Sequence, residues 1–133
     1  MNQIVTSGKR KTSIAKAVLK EGSGKVTINK KNYNVLSFFD KLKIEEPLRI
    51  SNEVLGKLNF DVVITVHGGG EKSQIEASRL ALARAISNFS KSEKLTKAFL
   101  NYDRNLLVAD VRRKETYKPG DSKARRKRQK SFR

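Results

Sequence analysis

The residues with most to offer chemically are cations in runs. Lys9-Arg10-Lys11 is one run, Lys30-Lys31 a second, and the stretch 122–133, SKARRKRQKSFR, a third. Seven of those last twelve residues are cationic and none is acidic. In its centre Arg125, Arg126 and Arg128 outnumber Lys127, and the planar guanidinium fork suits phosphate oxygens and base stacking. A charge run is more often solvated than functional, and an Arg/Lys cluster can also serve as a nuclear localisation signal. These runs, however, recur at turns and in the tail, as expected of a protein that touches phosphates at several points. With no helix-turn-helix, zinc finger or basic zipper in the sequence, the polyanion they fit is RNA, within a large ribonucleoprotein.

Two other features could carry chemistry. Gly68-Gly69-Gly70 stands between a strand pattern and a helix pattern, where backbone amides could approach a phosphate. GGGEKS is not a nucleotide-binding P-loop: that motif needs Lys directly after its last glycine, and here Glu71 intervenes with a charge that repels phosphate. A close approach by a partner's backbone and a plain tight turn both stay open for these glycines. His67 lies opposite the apolar face of its strand, with no recognisable carboxylate and nucleophile set, and reads as a surface or interface histidine.

The totals agree with a polyanion partner. The chain has 133 residues and a formal net charge of +17. Residues 112–133 hold eleven Lys/Arg against two acids, a net of +9, whereas residues 1–111 hold nineteen against eleven, a net of +8. A moderately basic domain is therefore followed by an intensely basic tail, and like charge at that density favours a polyanion. Zero Cys excludes disulfides and thiolate metal sites, and a single His argues against a histidine-based one, so no cofactor or metal is expected. No apolar run approaches a membrane span and no signal-peptide core is present; the chain reads as soluble and intracellular. The tail has no apolar stripe for a membrane surface.

These side chains need elements to hold them. Residues 3–7, TSIAKAVLK and KVTIN read as a three-stranded antiparallel meander with basic turns, the first of them Gly8 to Lys11. Such a cationic turn carries little core area. Replacing Lys9, Arg10 and Lys11 by Ala is thus expected to weaken RNA binding and move stability by less than about 1 kcal/mol. NYNVLSFFDKL spaces Val35, Leu36, Phe39 and Leu42 as a helix, and Pro47 starts a second short helix over 46–55. NFDVVITVH alternates strictly and is the clearest strand. A helix over about 72–89 follows, with Ile75, Leu82, Ile86 and Phe89 on one arc and Arg84 pointing away. Ser90 and Glu93 fit a capping box for a helix carrying Leu95, Ala98, Phe99 and Tyr102, and LLVADV reads as extended. After Val111 apolar residues nearly stop, so 1–111 reads as an α+β domain and 112–133 as a tail disordered without RNA.

In this order the pieces resemble one family. SGKRKTSIAKAVLKEGSGKVTIN, EEPLRI, GGGEKSQIEASRLALARAI and YDRNLLVADVRRKE are similar to the motifs of the ninth small-subunit ribosomal protein family, over nearly the whole chain. LLVADVRRKE and the final SFR look like its archaeal/eukaryotic branch, and ARRKRQKSFR with the compact length favours an archaeal member. The resemblance implies a four-stranded sheet with helices packed on it and a left-handed β-α-β crossover. It also implies a structural, non-enzymatic role in the cytoplasmic ribosome, beside neighbouring proteins of the subunit head and without a small-molecule substrate. Small-subunit rRNA would be bound by Lys9, Arg10, Lys11, Lys30, Lys31, Gly68, Gly69, Gly70, Lys72, Arg79, Arg112, Arg113, Lys114, Lys118, Lys123, Arg125, Arg126, Lys127 and Arg128. The tail would end at the anticodon stem-loop of the peptidyl-site tRNA, with Lys130, Ser131, Phe132 and Arg133 proximal to it. Where bacterial members carry Lys, this chain has Phe132, so the resemblance does not carry over that phosphate contact and allows a stacking contact instead.

Two readings of other classes stand beside this one. Small-molecule kinases share a related fold and a Gly-rich loop at a helix start, but their loops carry Ser or Thr where this chain has Glu71. A free-standing nucleic-acid chaperone would need charge alone, and co-sedimentation with small subunits separates it from a ribosomal constituent.

Overall fold

β1 (Ile4–Arg10) and β2 (Ser13–Glu21) form a hairpin closed by only two residues, Lys11 and Thr12. Lys11 takes a positive φ of 52°, the backbone that a two-residue hairpin turn requires. The basic turn is thus tighter than the sequence suggested, and Gly8, Lys9 and Arg10 are strand residues. In this computed structural model residues 2–117 are described.

The expected three-stranded meander does not form. β3 (Val26–Ile28) does not pair with β2; β5 (Phe60–His67) lies between them, antiparallel to β2 and parallel to β3. Length explains the outcome. β5 offers eight residues in strict alternation to the nine of β2, whereas β3 has three. The loop that steps over β5 is held from within by β5 itself. The Asp61 carboxylate accepts from the backbone N–H groups of Ser23 (2.8 Å), Gly24 (3.0 Å) and Lys25 (2.9 Å). These bonds, that of Lys25 foremost, hold the Asp61 carboxyl below its ordinary pKa although partial desolvation opposes the shift.

β4 (Lys31–Asn32) pairs on β3 through the turn Asn29-Lys30, both residues at positive φ, and completes the order β1-β2-β5-β3-β4. The sheet therefore has five strands and is mixed, not four, the additional one being this two-residue edge. Asn29 also ties the turn to β5, its Oδ1 accepting from the Val66 N–H at 3.0 Å.

The chain crosses from β3 to β5 through α1 (Phe38–Leu55), one continuous helix where two were expected. Pro47 sits inside it. A proline removes a single helical hydrogen bond, and here its ring is buried with Ile44 and Leu48 on the face that meets the core. Packing overrides the local break. Of the expected apolar face Leu36 and Leu42 are half-buried but Val35 and Phe39 are exposed, and Phe38, also exposed, stands edge to face on Phe39.

α2 (Glu71–Ser90) matches the expected helix to within a residue at each end and lies across β1, β2 and β5. It is buried along Ile75, Leu82 and Ile86, and Phe89 packs edge to face on Phe60. α3 (Glu93–Tyr102) is capped by Ser92, whose Oγ accepts from the Leu95 N–H, not by the expected Ser90–Glu93 box. Leu106 then closes a 3-10 turn, Arg104–Leu106, into the core. LLVADV, expected to be extended, thus begins within this turn, and residues 109–117 beyond it have no regular secondary structure.

Candidate nucleic-acid interface

Strand parity splits the run Lys9-Arg10-Lys11. Lys9 projects from the open face of the sheet and Lys11 from the hairpin turn, both exposed. Arg10 turns to the other side, where its Nε meets Glu76 Oε2 at 2.7 Å and its Nη1 meets Asp110. Arg10 is 17% exposed and joins β1, α2 and the chain leaving the domain. The expectation that all three residues could be removed with little effect on stability therefore changes. Lys9→Ala with Lys11→Ala is expected to shift stability by less than about 0.5 kcal/mol. Adding Arg10→Ala removes the cation shared by Glu76 and Asp110, which keep Lys43 and Arg112 beside them, and should cost about 1–2 kcal/mol more. Urea unfolding of the double and triple variants checks this; equal midpoints would make the Arg10 pairs energetically empty.

Three other cations expected at the rRNA already have anionic partners within the protein. Arg79 on α2 pairs with Glu46 of α1 and with Asp103 Oδ2 at 3.2 Å. Lys72 Nζ lies 2.9 Å from Asp40 Oδ1, a carboxylate with no exposed surface that also accepts from the Ser37 hydroxyl at 2.8 Å. Burial alone would push the Asp40 carboxyl up, but the hydrogen bonds from Lys72 and Ser37 together outweigh it and lower its pKa. Arg112 holds Asp110 through Nε (3.0 Å) and Nη2 (2.7 Å). With the Arg112 backbone N–H and the nearby Arg10, this keeps Asp110 far below the usual carboxylate range. All these shifts are downward. Their contribution to stability is present above the unfolded carboxylate pKa of about 3.9 and is lost as the pH falls through the lower folded values.

The glycine turn is mostly explained by the fold. Gly68 and Gly69 have φ of 80° and 62°. A Cβ on Gly68 would lie 2.6 Å from the Thr12 carbonyl oxygen, and one on Gly69 would lie 2.2 Å from Ser13 Oγ. The Gly68 carbonyl accepts from Ser13 Oγ (2.9 Å) and Gln74 Nε2 (3.1 Å). The body that approaches these glycines is the β1–β2 hairpin of the same chain. Gly70, at φ −98° with nothing within 4 Å, is the one place in the turn open to a partner.

Lys30 and Lys31 are exposed at the far edge of the sheet, and Arg113 and Lys114 are exposed where the chain leaves the domain. Lys114 Nζ donates to the Tyr117 hydroxyl at 2.6 Å and stands 4.4 Å from its ring centroid. Lys118, Lys123, Arg125, Arg126, Lys127, Arg128, Lys130, Ser131, Phe132 and Arg133 lie outside the described residues. His67 is exposed on the open sheet face opposite Ile14, in keeping with a surface histidine.

Three cations escaped the sequence reading. Lys16 and Lys20 project from the open face of β2, and the alternation SIAKAVLK carried that signal. Arg84, expected to point into solvent, donates from Nε to the Leu107 carbonyl and from Nη1 to that of Ser7, both at 3.0 Å, and so binds the last turn and β1 to α2. No sequence pattern announces bonds across such separations. Among the described residues no group of His, Cys, Asp and Glu could hold a metal ion, and no helix is long and apolar enough to cross a membrane.

Exposed cations thus stand at the hairpin turns, on the open sheet face and at residues 113–114, around a helix-backed α+β core. The family described as ribosomal protein S9/S16 matches residues 8–133. The chain is 48% identical to the small ribosomal subunit protein uS9 of Methanococcus maripaludis strain C7, with both proteins covered in full. It is 46% identical to that of Methanococcus vannielii over the full length of both. With that of Desulfurococcus amylolyticus it shares 44% identity over 98% of this chain and 92% of the relative. The chain belongs to the ribosomal protein S9/S16 family. It is a structural protein, not an enzyme.

Proposed function

We propose that this chain is a structural constituent of the small ribosomal subunit in the cytoplasm and binds rRNA in the subunit head. Its domain, residues 1–111 with a left-handed crossover through α1, holds rRNA and neighbouring head proteins. Its basic tail, residues 112–133, contacts rRNA and ends at the anticodon stem-loop of the peptidyl-site tRNA, where Lys130, Ser131, Phe132 and Arg133 lie. The observation that carries this reading is the extent of the family match: it runs to residue 133, so the tail belongs to the shared sequence as much as the domain does. Reach is adequate, since about 20 residues of chain span up to roughly 65 Å.

Removing residues 130–133 is the test. Nine of the eleven cations of residues 112–133 remain, so assembly into the subunit should be nearly intact. Peptidyl-site tRNA binding should weaken by about 1–3 kcal/mol, the scale of base stacking on an aromatic ring. Phe132→Ala and Arg133→Ala separate stacking from charge, because only the second defect should become milder as salt rises. Truncated subunits with normal tRNA affinity and normal decoding would reduce the tail to an rRNA anchor.

A further inference from the structure

The sheet has a face that nothing in the described chain covers. α2 packs on the inward side, against Ala15, Ala17, Leu19, Val62 and Ile64. The outward positions alternate with these, and strand register brings them into rows. Val5 of β1 stands beside Val18 of β2, Val18 beside Val63 of β5, and Val63 beside Thr27 of β3. The next row is Ser7, Lys16 and Thr65, and the one after it Lys9, Ile14 and His67. On the other side of the valine row Lys20 stands opposite Asp61.

This is not an ordinary solvated face. Val5 and Val63 are 56% and 49% exposed and Val18 between them is half-buried, so a row of aliphatic groups is left partly wet across three strands, with Ile14 (42% exposed) two rows away. Its charge is one-sided. Lys9, Lys16 and Lys20 make no ion pair with any described residue. The only carboxylate among these rows, Asp61, is occupied by three backbone amides. An acidic protein surface would pair with the lysines and accept from the hydroxyls of Ser7 and Thr65, but its carboxylates would not pack on the valine row set between Lys16 and Lys20. The wide, shallow groove of an A-form RNA helix answers all three chemistries: phosphates along its edges, 2′-hydroxyls that donate and accept, and the C–H surface of the riboses.

We propose that the open face of the sheet is a second rRNA-binding surface, separate from the hairpin turns and the tail. It lies against the shallow groove of an RNA helix. Lys16 and Lys20 meet phosphates on either side of the valine row, Val5, Val18 and Val63 pack on riboses, and Ser7 and Thr65 face 2′-hydroxyls. This inference rests on the reading of the chain as an rRNA-binding protein, and the experiment separates the two.

In the first arm, binding of small-subunit rRNA is followed as a function of salt for the full chain and for Lys16→Ala with Lys20→Ala. Both residues are exposed strand positions outside the core, so the variant is expected to fold. The slope of log K against log salt should become shallower by about two, one for each phosphate no longer neutralised. A flat line for the unaltered chain would defeat rRNA binding itself. A steep line that the variant leaves unchanged would defeat only the sheet-face surface. The second arm uses the absence of cysteine from the sequence: Val63→Cys gives a single thiol for a short photo-crosslinker at the centre of the valine row. In reconstituted subunits the label should capture rRNA. Capture of a neighbouring protein, or of nothing, overturns the assignment.

Discussion

Affinity for small-subunit rRNA is expected to fall roughly 10³–10⁵-fold between 50 and 200 mM monovalent salt, the loss that follows when about 6–10 phosphates are neutralised. The ion pairs decide which cations contribute. Arg10, Arg79, Lys72 and Arg112 each have a carboxylate beside them in the free protein. Moving one of them to a phosphate exchanges one anion for another, with little net release of counterions. The salt-sensitive part belongs to Lys9, Lys11, Lys30, Lys31, Arg113 and Lys114, to Lys16 and Lys20 of the open sheet face, and to the cations beyond residue 117. A filter-binding series on the full chain measures the slope. Arg79→Gln is the internal control: it should lower stability by removing the link from Glu46 to Asp103, yet leave the slope unchanged. A nearly flat line for the unaltered chain would mean that the basic runs are merely solvated.

What could be read from the sequence is what short-range pattern decides. Phe60, Val62, Ile64 and Val66 alternate and are the inward side of β5; Ile75, Leu82 and Ile86 recur at helical spacing and are the buried arc of α2. Long-range pairing was not legible. β5 enters between β2 and β3, and the carboxylate of Asp61 that holds the spanning loop bonds amides 36–38 residues away. Pro47 punctuates locally, but burial of its ring against the core keeps α1 continuous. Among the candidate contacts the difficulty was parity. With Gly8 to Lys11 taken as a turn, nothing distinguishes Lys9 from Arg10; once β1 runs to Arg10, one faces the open sheet and the other faces Glu76 and Asp110. The last partner stands a hundred residues downstream, and it is visible only after the chain has folded.

Gly8→Ala is expected to be strongly destabilising. The glycine serves no special backbone conformation, since its φ is not among the positive ones. It serves proximity. β1 crosses α2 so closely that a Cβ at Gly8 would lie 2.2 Å from the Ala77 carbonyl oxygen and 2.7 Å from the Ala81 backbone nitrogen. Nearby, the Thr6 hydroxyl donates to the Ala81 carbonyl at 2.9 Å, which fixes the same separation. The atoms that would have to yield are helix backbone, not the end of a flexible side chain, so relief requires lifting β1 off α2. Overpacking of this kind costs about 3 kcal/mol, a sizeable share of a domain stability of about 5–15 kcal/mol. With a urea slope of about 1–2 kcal/mol/M, the unfolding midpoint should fall by about 2 M. Gly70→Ala is the matched control. Its site is empty to 4 Å and its φ is negative, so its stability should stay within about 0.5 kcal/mol of the unaltered chain. If Gly8→Ala and Gly70→Ala unfold together at the unaltered midpoint, β1 does not lie against α2 at this distance. The Arg84 bond to the Ser7 carbonyl, which depends on the same contact, would then fall with it.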